Sequence, residues 1–426
     1  MAAHPIRLVV EDDLRRSRLT VFFRLLLAIP HIVWIILWTI GAFFVSIVNW
    51  FATLALGQSP HWAHDFLAGY LRYSTHLYAY LYLAANPYPG FTGTPGSYPI
   101  DVEIGPPEPQ RRLVTLFRVI LALPALILVS IVLGGGPGGG GGSGDGQGGD
   151  GGWANASFWG LAISVAVFAW FACLVRGRMP SGFRDLIAWG LRYGAQTYGY
   201  FLLLTDRYPS SDPYELLAVV PEKPLAVTLS LTDDGRRSRL TVFFRLFLAL
   251  PHIVWAALWG IAAFLAAIAQ WFVLVAAGRP AGSLRRFIAA WVRYDAQVYA
   301  YLLLAANPFP AFGATPGYPL AVEIEEPREQ NRLVTLFRII LAIPAAVVSN
   351  GLLVAAFAAA VFGWFASLVL GRMPTGLRNV VAYAVHYSAQ FNAYLLLVTE
   401  RYPYSGPIAS TDELEEEPFE PEAVPA

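Results

Sequence analysis

Four times along the chain, hydrophobic and polar positions run in the same order. A short segment follows a proline and alternates in polarity: Pro5-Ile-Arg-Leu-Val-Val, Pro99-Ile-Asp-Val-Glu-Ile, Pro224-Leu-Ala-Val-Thr-Leu and Pro319-Leu-Ala-Val-Glu-Ile. Period-two alternation predicts a half-buried strand. A basic patch comes next, then an apolar stretch of about 38 residues, against the roughly 20 that one spanning helix needs. The stretch ends on a glycine turn at Gly57, Gly177, Gly278 or Gly371. An aromatic-rich segment then carries Arg72-Tyr73, Arg192-Tyr193, Arg293-Tyr294 or His386-Tyr387. It closes on Asn86–Pro89, Asp206–Pro209, Asn307–Pro310 or Glu400–Pro403.

The copies also share their letters. RRSRLTVFFR stands at Arg15–Arg24 and again at Arg236–Arg245; RLVTLFR stands at Arg112–Arg118 and again at Arg332–Arg338. Repeats one and three match best, as do two and four. A unit of about 95 residues, doubled and doubled again, accounts for this. The units run over residues 1–97, 98–218, 219–317 and 318–410, with a glycine-rich insertion at 134–152 and an acidic tail at 411–426.

Each apolar stretch is long enough for two limbs of 17–20 residues, so a hairpin is expected in each. Asn350-Gly351 is a turn dipeptide at the centre of the fourth stretch, and the glycine run Gly134–Gly152 interrupts the second at nearly the same place. Such a run belongs at a loop tip outside hydrocarbon. The expected fold is an all-α membrane protein with four quasi-repeated transmembrane helical hairpins, about eight spanning helices, plus short cytoplasmic β-strands. Hairpins that enter one leaflet and return are the alternative. Arginines flank the outer ends of the hairpins (Arg15, Arg16, Arg18, Arg111, Arg112, Arg176, Arg178, Arg236, Arg237, Arg239, Arg372), which places both termini in the cytoplasm. The aromatic segments carry a central Arg or His and internal polar residues such as Gln196 and Asp295, so they fit amphipathic helices lying in the interface better than four more spans.

Composition agrees with a membrane setting. Hydrophobic residues make up 56% of the 426, charged residues only 14%, and mean hydropathy is +0.51; soluble domains carry about 25% charged residues. The 27 Phe, 21 Tyr and 13 Trp exclude disorder for most of the chain. Net charge is zero, so no attraction to nucleic acid is implied. The single cysteine, Cys173, excludes an internal disulfide. The polar N-terminus, Met1 to Arg18, lacks the apolar core of a signal peptide, so the first apolar run is expected to be retained.

Candidate chemistry is sparse. Arg24, Arg118, Arg245 and Arg338 sit about six residues into the apolar stretch, where an arginine costs about 2.5–3.5 kcal/mol on insertion scales. Two uses fit: a depth anchor snorkelling to headgroups, or a site for anionic lipid phosphate or a partner carboxylate, shared with Arg72, Tyr73, Arg192, Tyr193, Arg293 and Tyr294. Pro30, Pro124, Pro251 and Pro344 should kink the first limb. His31 and His252 follow two of them, as hydrogen-bonded structural residues or, less simply, as a proton relay. Trp50, Trp170, Trp271 and Trp364, with Asn49 and Gln270, suit aromatic packing and interhelical hydrogen bonds. His61, His64 and Asp65 have metal-ligand spacing, but the other units hold arginine in place of His64, so no metal is expected. The glycine run lacks the lysine of a phosphate loop and reads as a linker. No catalytic motif is visible, and neither an enzyme nor a cofactor is expected.

As a set, Arg18–Arg24 (Arg-Leu-x-x-x-Phe-Arg), Ala28–His31, Gly371–Pro374, Arg72-Tyr73 and Asp206–Pro209 resemble the bacterial membrane family catalogued as domain of unknown function 4389, in tandem copies over nearly all of residues 5–405. Departures are Gln58 and His386 where arginine is usual, Ala125 and Ala345 where histidine is usual, and the glycine insertion. The resemblance implies an integral membrane protein, often actinobacterial, with no established activity. The lone lysine, Lys223, among 29 basic residues suits a G+C-rich genome. The expected role is a non-enzymatic inner-membrane scaffold or assembly protein, touching membrane lipids and a membrane-protein partner or further copies of itself. A transporter or lipid translocator built on the repeats is the alternative; a polar cavity lined by Asn49, Gln270 or the histidines would favour it.

Overall fold

A computed structural model describes residues 4–134, 160–215, 225–314, 316–326 and 329–408. The glycine-rich insertion beyond Gly134, Pro224 and the acidic tail lie outside the described residues. The chain divides into two compact units, residues 1–211 with 405–407, and the remainder. The first unit contains β1 (Ile6–Val10), α1 (Arg18–Leu56), α2 (His61–Leu81), β2 (Ile100–Ile104), α3 (Arg112–Leu116), α4 (Arg118–Leu133), α5 (Leu161–Arg176) and α6 (Ser181–Phe201). The second contains β3 (Val227–Leu231), α7 (Arg239–Ala277), α8 (Gly282–Leu302), β4 (Leu320–Ile324), α9 (Arg332–Leu336), α10 (Arg338–Leu370) and α11 (Thr375–Leu395).

The alternating segments are strands, and they pair across repeats. β1 runs antiparallel to β2 with Leu8 opposite Val102, and β3 antiparallel to β4 with Leu229 opposite Val322. Each two-stranded sheet packs on the aromatic helices of its unit: β1 on α6 and β2 on α2, β3 on α11 and β4 on α8. Ile6 and Val102 enter a core with Leu67, Ala68, Leu71 and Ala195, while Arg7 and Glu103 form an exposed ion pair at 3.0 Å. The aromatic helices pack in turn on the long helices, α2 on α1 and α6 on α4. The first unit is therefore ordered long helices, aromatic helices, sheet. The second unit repeats the order.

The hairpin expectation is corrected. The first, third and fourth apolar stretches are continuous helices of 39, 39 and 33 residues, with Pro30, Pro251 and Pro344 inside them. Their centres contain nothing that a helix rejects. Gly351 costs about 1 kcal/mol relative to alanine, and Asn350 Nδ2 donates to Ala346 O at 2.9 Å within the helix. A turn would also break the packed stripe. In α1 that stripe is Val21, Arg24, Ala28, His31, Ala42, Asn49 and Thr53, at helical spacing from one end to the other. Only the second stretch is interrupted, at Gly134 with φ +80°, leaving α4 and α5 at 16 residues each. Among the described residues, three helices (α1, α7 and α10) are long and apolar enough to cross a membrane, rather than eight. The glycine turns end the helices as expected: Gly57, Gly177, Gly278 and Gly371 take left-handed φ values of +66° to +78°.

Reciprocal contacts hold the long helices of each unit together. Trp50 Nε1 donates to Thr115 O (2.9 Å) while Trp170 Nε1 donates to Val21 O (3.0 Å). In the second unit, Trp271 reaches Thr335 O (3.1 Å) and Trp364 reaches Val242 O (3.0 Å). Each repeat does to its neighbour what the neighbour does to it, the signature of an internal two-fold relation. Asn49 Nδ2 donates to Leu202 O at 3.2 Å, as the interhelical role predicts.

One tie between α2 and the sheet titrates. His76 Nε2 lies 2.7 Å from Asp101 Oδ1. Burial pushes the Asp101 carboxyl up, but hydrogen bonds from His76 and from the Gly96 and Val102 amides outweigh it and hold the pKa below the ordinary 3.8. A depressed carboxyl contributes stability that is complete above its unfolded value and is lost as pH falls through the folded value. Unfolding measured against pH should show a loss of stability below pH 3.8 that is smaller in Asp101→Asn; identical acid limbs would show that the tie contributes nothing.

Candidate functional site

The most conspicuous polar groups in the apolar helices are Arg24, Arg118, Arg245 and Arg338, all buried, at 1–2% exposure. Each reaches the C-terminal end of its own repeat's aromatic helix. Arg24 Nη1 donates to Tyr80 O and, at 3.1 Å, to Ala85 O. Arg118 Nη1 takes Tyr200 O (3.2 Å) and Thr205 O (2.9 Å). Arg245 takes Tyr301 O (2.7 Å) and Ala306 O (3.1 Å), and Arg338 takes Tyr394 O (2.9 Å) and Thr399 O (2.7 Å). Each guanidinium also lies over a tyrosine ring, 4.0–4.4 Å from the centroid of Tyr80, Tyr200, Tyr301 or Tyr394. Three effects offset the cost of burying the cation: charge-assisted hydrogen bonds, the ring quadrupole, and the negative end of the helix dipole.

The turn that offers those carbonyls is built on an unusual residue. Leu83, Leu203, Leu304 and Leu397 all have φ of +64° to +67°, a conformation that a leucine adopts at a cost of about 1–2 kcal/mol. All four are buried, at 2–4% exposure. Burying a leucine side chain returns about 1.5–3 kcal/mol, enough to hold the turn. In repeats one and three the turn is gripped further by Arg16, bonded to Leu83 O (2.9 Å) and Ala84 O (2.7 Å), and by Arg237, bonded to Leu304 O (2.8 Å) and Ala305 O (3.1 Å). Asp12 and Asp233 pair with these arginines at 2.7 Å. In repeats two and four a glutamine does the gripping: Gln110 donates to Leu203 O, and Gln330 Nε2 donates to Leu397 O at 3.1 Å. The same glutamines accept from Arg118 (2.6 Å) and Arg338 (2.8 Å). The sequence pattern singled out neither the leucines, the glutamines nor the aspartates. The identical spacing of each leucine from the following Asn-Pro or acid-Arg pair was the available signal.

The other predicted site residues lie elsewhere. Arg72 Nε donates to Val102 O (3.0 Å) and Arg293 Nε to Val322 O (3.2 Å), tying aromatic helices to strands. His386, in the matching place, contacts Val227 O at 2.9 Å. Arg192 is buried in α6. Tyr73 and Tyr294 hydroxyls meet His31 and His252 Nδ1 at 2.8 and 2.7 Å. Phe91 and Phe312 stack on those imidazoles, with centroids 4.2 and 4.4 Å apart. Tyr193 is buried too, in a repeat that carries Ala125 in the histidine's place. Arg72, Tyr73, Arg293 and Tyr294 bond β-strand carbonyls and histidines, whereas the deep arginines bond the ends of the aromatic helices. His64 Nδ1 lies 3.6 Å from Asp65 Oδ1, and among the described residues no three His, Cys, Asp or Glu side chains converge as metal ligands.

The sequence profile of the family described as "Domain of unknown function (DUF4389)" matches residues 18–92, 156–211, 239–313 and 332–405. These four matches cover more than half of the chain, which therefore belongs to that family in four tandem copies. No curated protein and no solved structure matches it.

Two variants test the arginine–carbonyl knot. Arg338→Met leaves Tyr394 O, Thr399 O and Gln330 Oε1 without their donor, at about 1–3 kcal/mol for each buried group left unpaired. Thermal unfolding in detergent should show a clear fall in Tm; an unchanged Tm would make the knot incidental. At Leu83 the usual order of substitutions should invert. Leu83→Gly loses the side chain but relieves the left-handed strain, whereas Leu83→Ala loses most of the side chain and keeps the strain. Alanine should therefore be the more destabilising of the two.

Proposed function

Starting from membership of a family with no assigned activity and from three helices long and apolar enough to cross a membrane, we propose that the protein is a non-enzymatic scaffold of the bacterial inner membrane, with its strands and termini on the cytoplasmic side. One observation carries this reading: the hydrogen bonds that the deep polar side chains make run to other parts of the fold. The deep arginines face backbone carbonyls, His31 and His252 face tyrosines, and Asn49 faces Leu202. What remains outward is apolar side chain along the long helices and a fringe of exposed arginines: Arg15, Arg18, Arg111, Arg112, Arg176 and Arg178. Contacts with anionic headgroups fall to this fringe, because Arg24, Arg118, Arg245 and Arg338 are buried and bonded to backbone carbonyls.

The transporter alternative gains no support from the cavity present in the first unit. It measures about 650 Å³ and is lined chiefly by apolar and aromatic residues such as Ile36, Ile40, Phe43, Tyr70, Tyr198 and Phe201. Asn49 and His31 do not line it.

Affinity purification of the full chain in mild detergent should recover a membrane-protein partner, or further copies of the chain, in fixed ratio. Repeated recovery of a lone monomer would remove the scaffold reading. Replacing Arg15, Arg18, Arg111 and Arg112 by Gln should lower the phosphatidylglycerol that co-purifies, while Arg24→Gln should act on stability first.

A further inference from the structure

In the first unit the two long helical paths, α1 and α4–α5, run antiparallel, and both ends of the pair are basic. At one end Arg18 Nη2 donates to Val175 O (2.9 Å), beside exposed Arg15, Arg176 and Arg178. At the other, Arg112 Nη2 donates to Ala55 O (3.0 Å), beside exposed Arg111. The second unit repeats one clamp, with Arg239 Nη2 on Val369 O at 2.9 Å. An arrangement that crosses the bilayer would place arginines on both faces, against the positive-inside bias.

Length gives an independent reason. A helix of 39 residues rises about 58 Å, nearly twice the ~30 Å of hydrocarbon in a bilayer. Apart from Thr39, its exposed face within the helix is apolar, from Leu19 past Phe22, Val33 and Phe44 to Phe51 and Leu56. Standing upright, it would leave nearly half of that face in water.

The sheet gives a third. Tyr73, midway along α2, bonds His31 of α1, and its neighbour Arg72 bonds Val102 of β2. The sheet therefore lies level with the middle part of α1, on the far side of α2. There Arg7 and Glu103, 63% and 57% exposed, form their ion pair. If α1 stood upright, that pair would sit deep in the bilayer, where an arginine alone costs about 2.5–3.5 kcal/mol on insertion scales. With α1 lying flat, all three difficulties vanish together.

We propose that in each unit the pair of long helices lies in the plane of a single anionic leaflet. Their outward apolar face meets the acyl chains, the arginines at both ends meet phosphate headgroups, and the sheet faces water. A helix is about 10–12 Å thick with its side chains, within the ~15 Å of hydrocarbon that one leaflet supplies. This seating rests on the membrane reading above and refines it.

Depth measurements decide it. Phe22, Val33, Phe44 and Phe51 lie on one face of α1 and are 55–62% exposed; first to last they span about 44 Å of helix axis. Spin labels placed one at a time through Phe22→Cys, Val33→Cys, Phe44→Cys and Phe51→Cys, in a Cys173→Ala full-length chain, report depth from oxygen against nickel-chelate accessibility. The vesicles are phosphatidylethanolamine with phosphatidylglycerol. In-plane seating gives four depths within about 5 Å of one another, each in the upper half of one leaflet. Depths that run from one headgroup region through the bilayer centre to the other would overturn the seating and leave the membrane reading intact. Four labels as open to the nickel chelate as one at Arg7→Cys would overturn both. Phe243→Cys, Val254→Cys, Leu265→Cys and Phe272→Cys give the same test on α7, should the first set fail to fold.

Discussion

A cation closing the carbonyl end of a helix is the interaction on which this structure depends. Every repeat sends an arginine from its long apolar helix to the last turn of its aromatic helix, and there the guanidinium finds two carbonyl oxygens and a tyrosine ring. A helix end buried without donors costs free energy at each orphan carbonyl. A lone arginine in an apolar helix costs still more. Joined, the cation supplies donors to the carbonyls and gains acceptors from them, and the two helices are fixed antiparallel in one register. The left-handed leucine completes the arrangement by turning the chain so that carbonyls from two successive segments point at the same cation.

Variation among the repeats follows from this constraint. The deep arginine and its tyrosine are present four times, whereas the groups that grip the turn differ. Arg16 with Asp12 and Arg237 with Asp233 serve repeats one and three, while Gln110 and Gln330 serve two and four. A buried ion pair and a neutral amide can do the same work because what must be supplied is donors to fixed carbonyls, by either chemistry. The histidine–tyrosine bond behaves differently. It exists in repeats one and three, and alanine stands in its place in the other two. The second unit thus reproduces the alternation of the first, as expected if a two-repeat unit was copied whole.

The layered order within each unit separates two kinds of surface. The long helices touch the rest of the unit along a narrow stripe of small and polar residues and expose the remainder of their apolar circumference. Soluble monomers rarely expose a continuous apolar face of this kind. The sheet exposes the Arg7–Glu103 ion pair. Polarity changes across the layers, apart from the arginines at the helix ends, and the proposed in-plane seating rests on that direction of change.

The repeats, the strands, the helix-ending glycines and the membrane character were legible in the sequence, because each depends on local periodicity, on backbone freedom at one residue, or on composition. The tryptophans and Asn49 were legible too, as polar atoms in apolar helices that had to find partners. The centre of each apolar stretch was not. Length alone cannot distinguish two spanning limbs from one long helix, and the outcome turned on a stripe of contacts with residues far away in the chain, continuous across the expected turn. The deep arginines were visible as residues needing a partner, but which one lay beyond reach: carbonyl oxygens belong to every residue and leave no mark in the sequence. Their direction is set when the chain turns at a leucine in a glycine-like conformation, which only the packing around that leucine could decide.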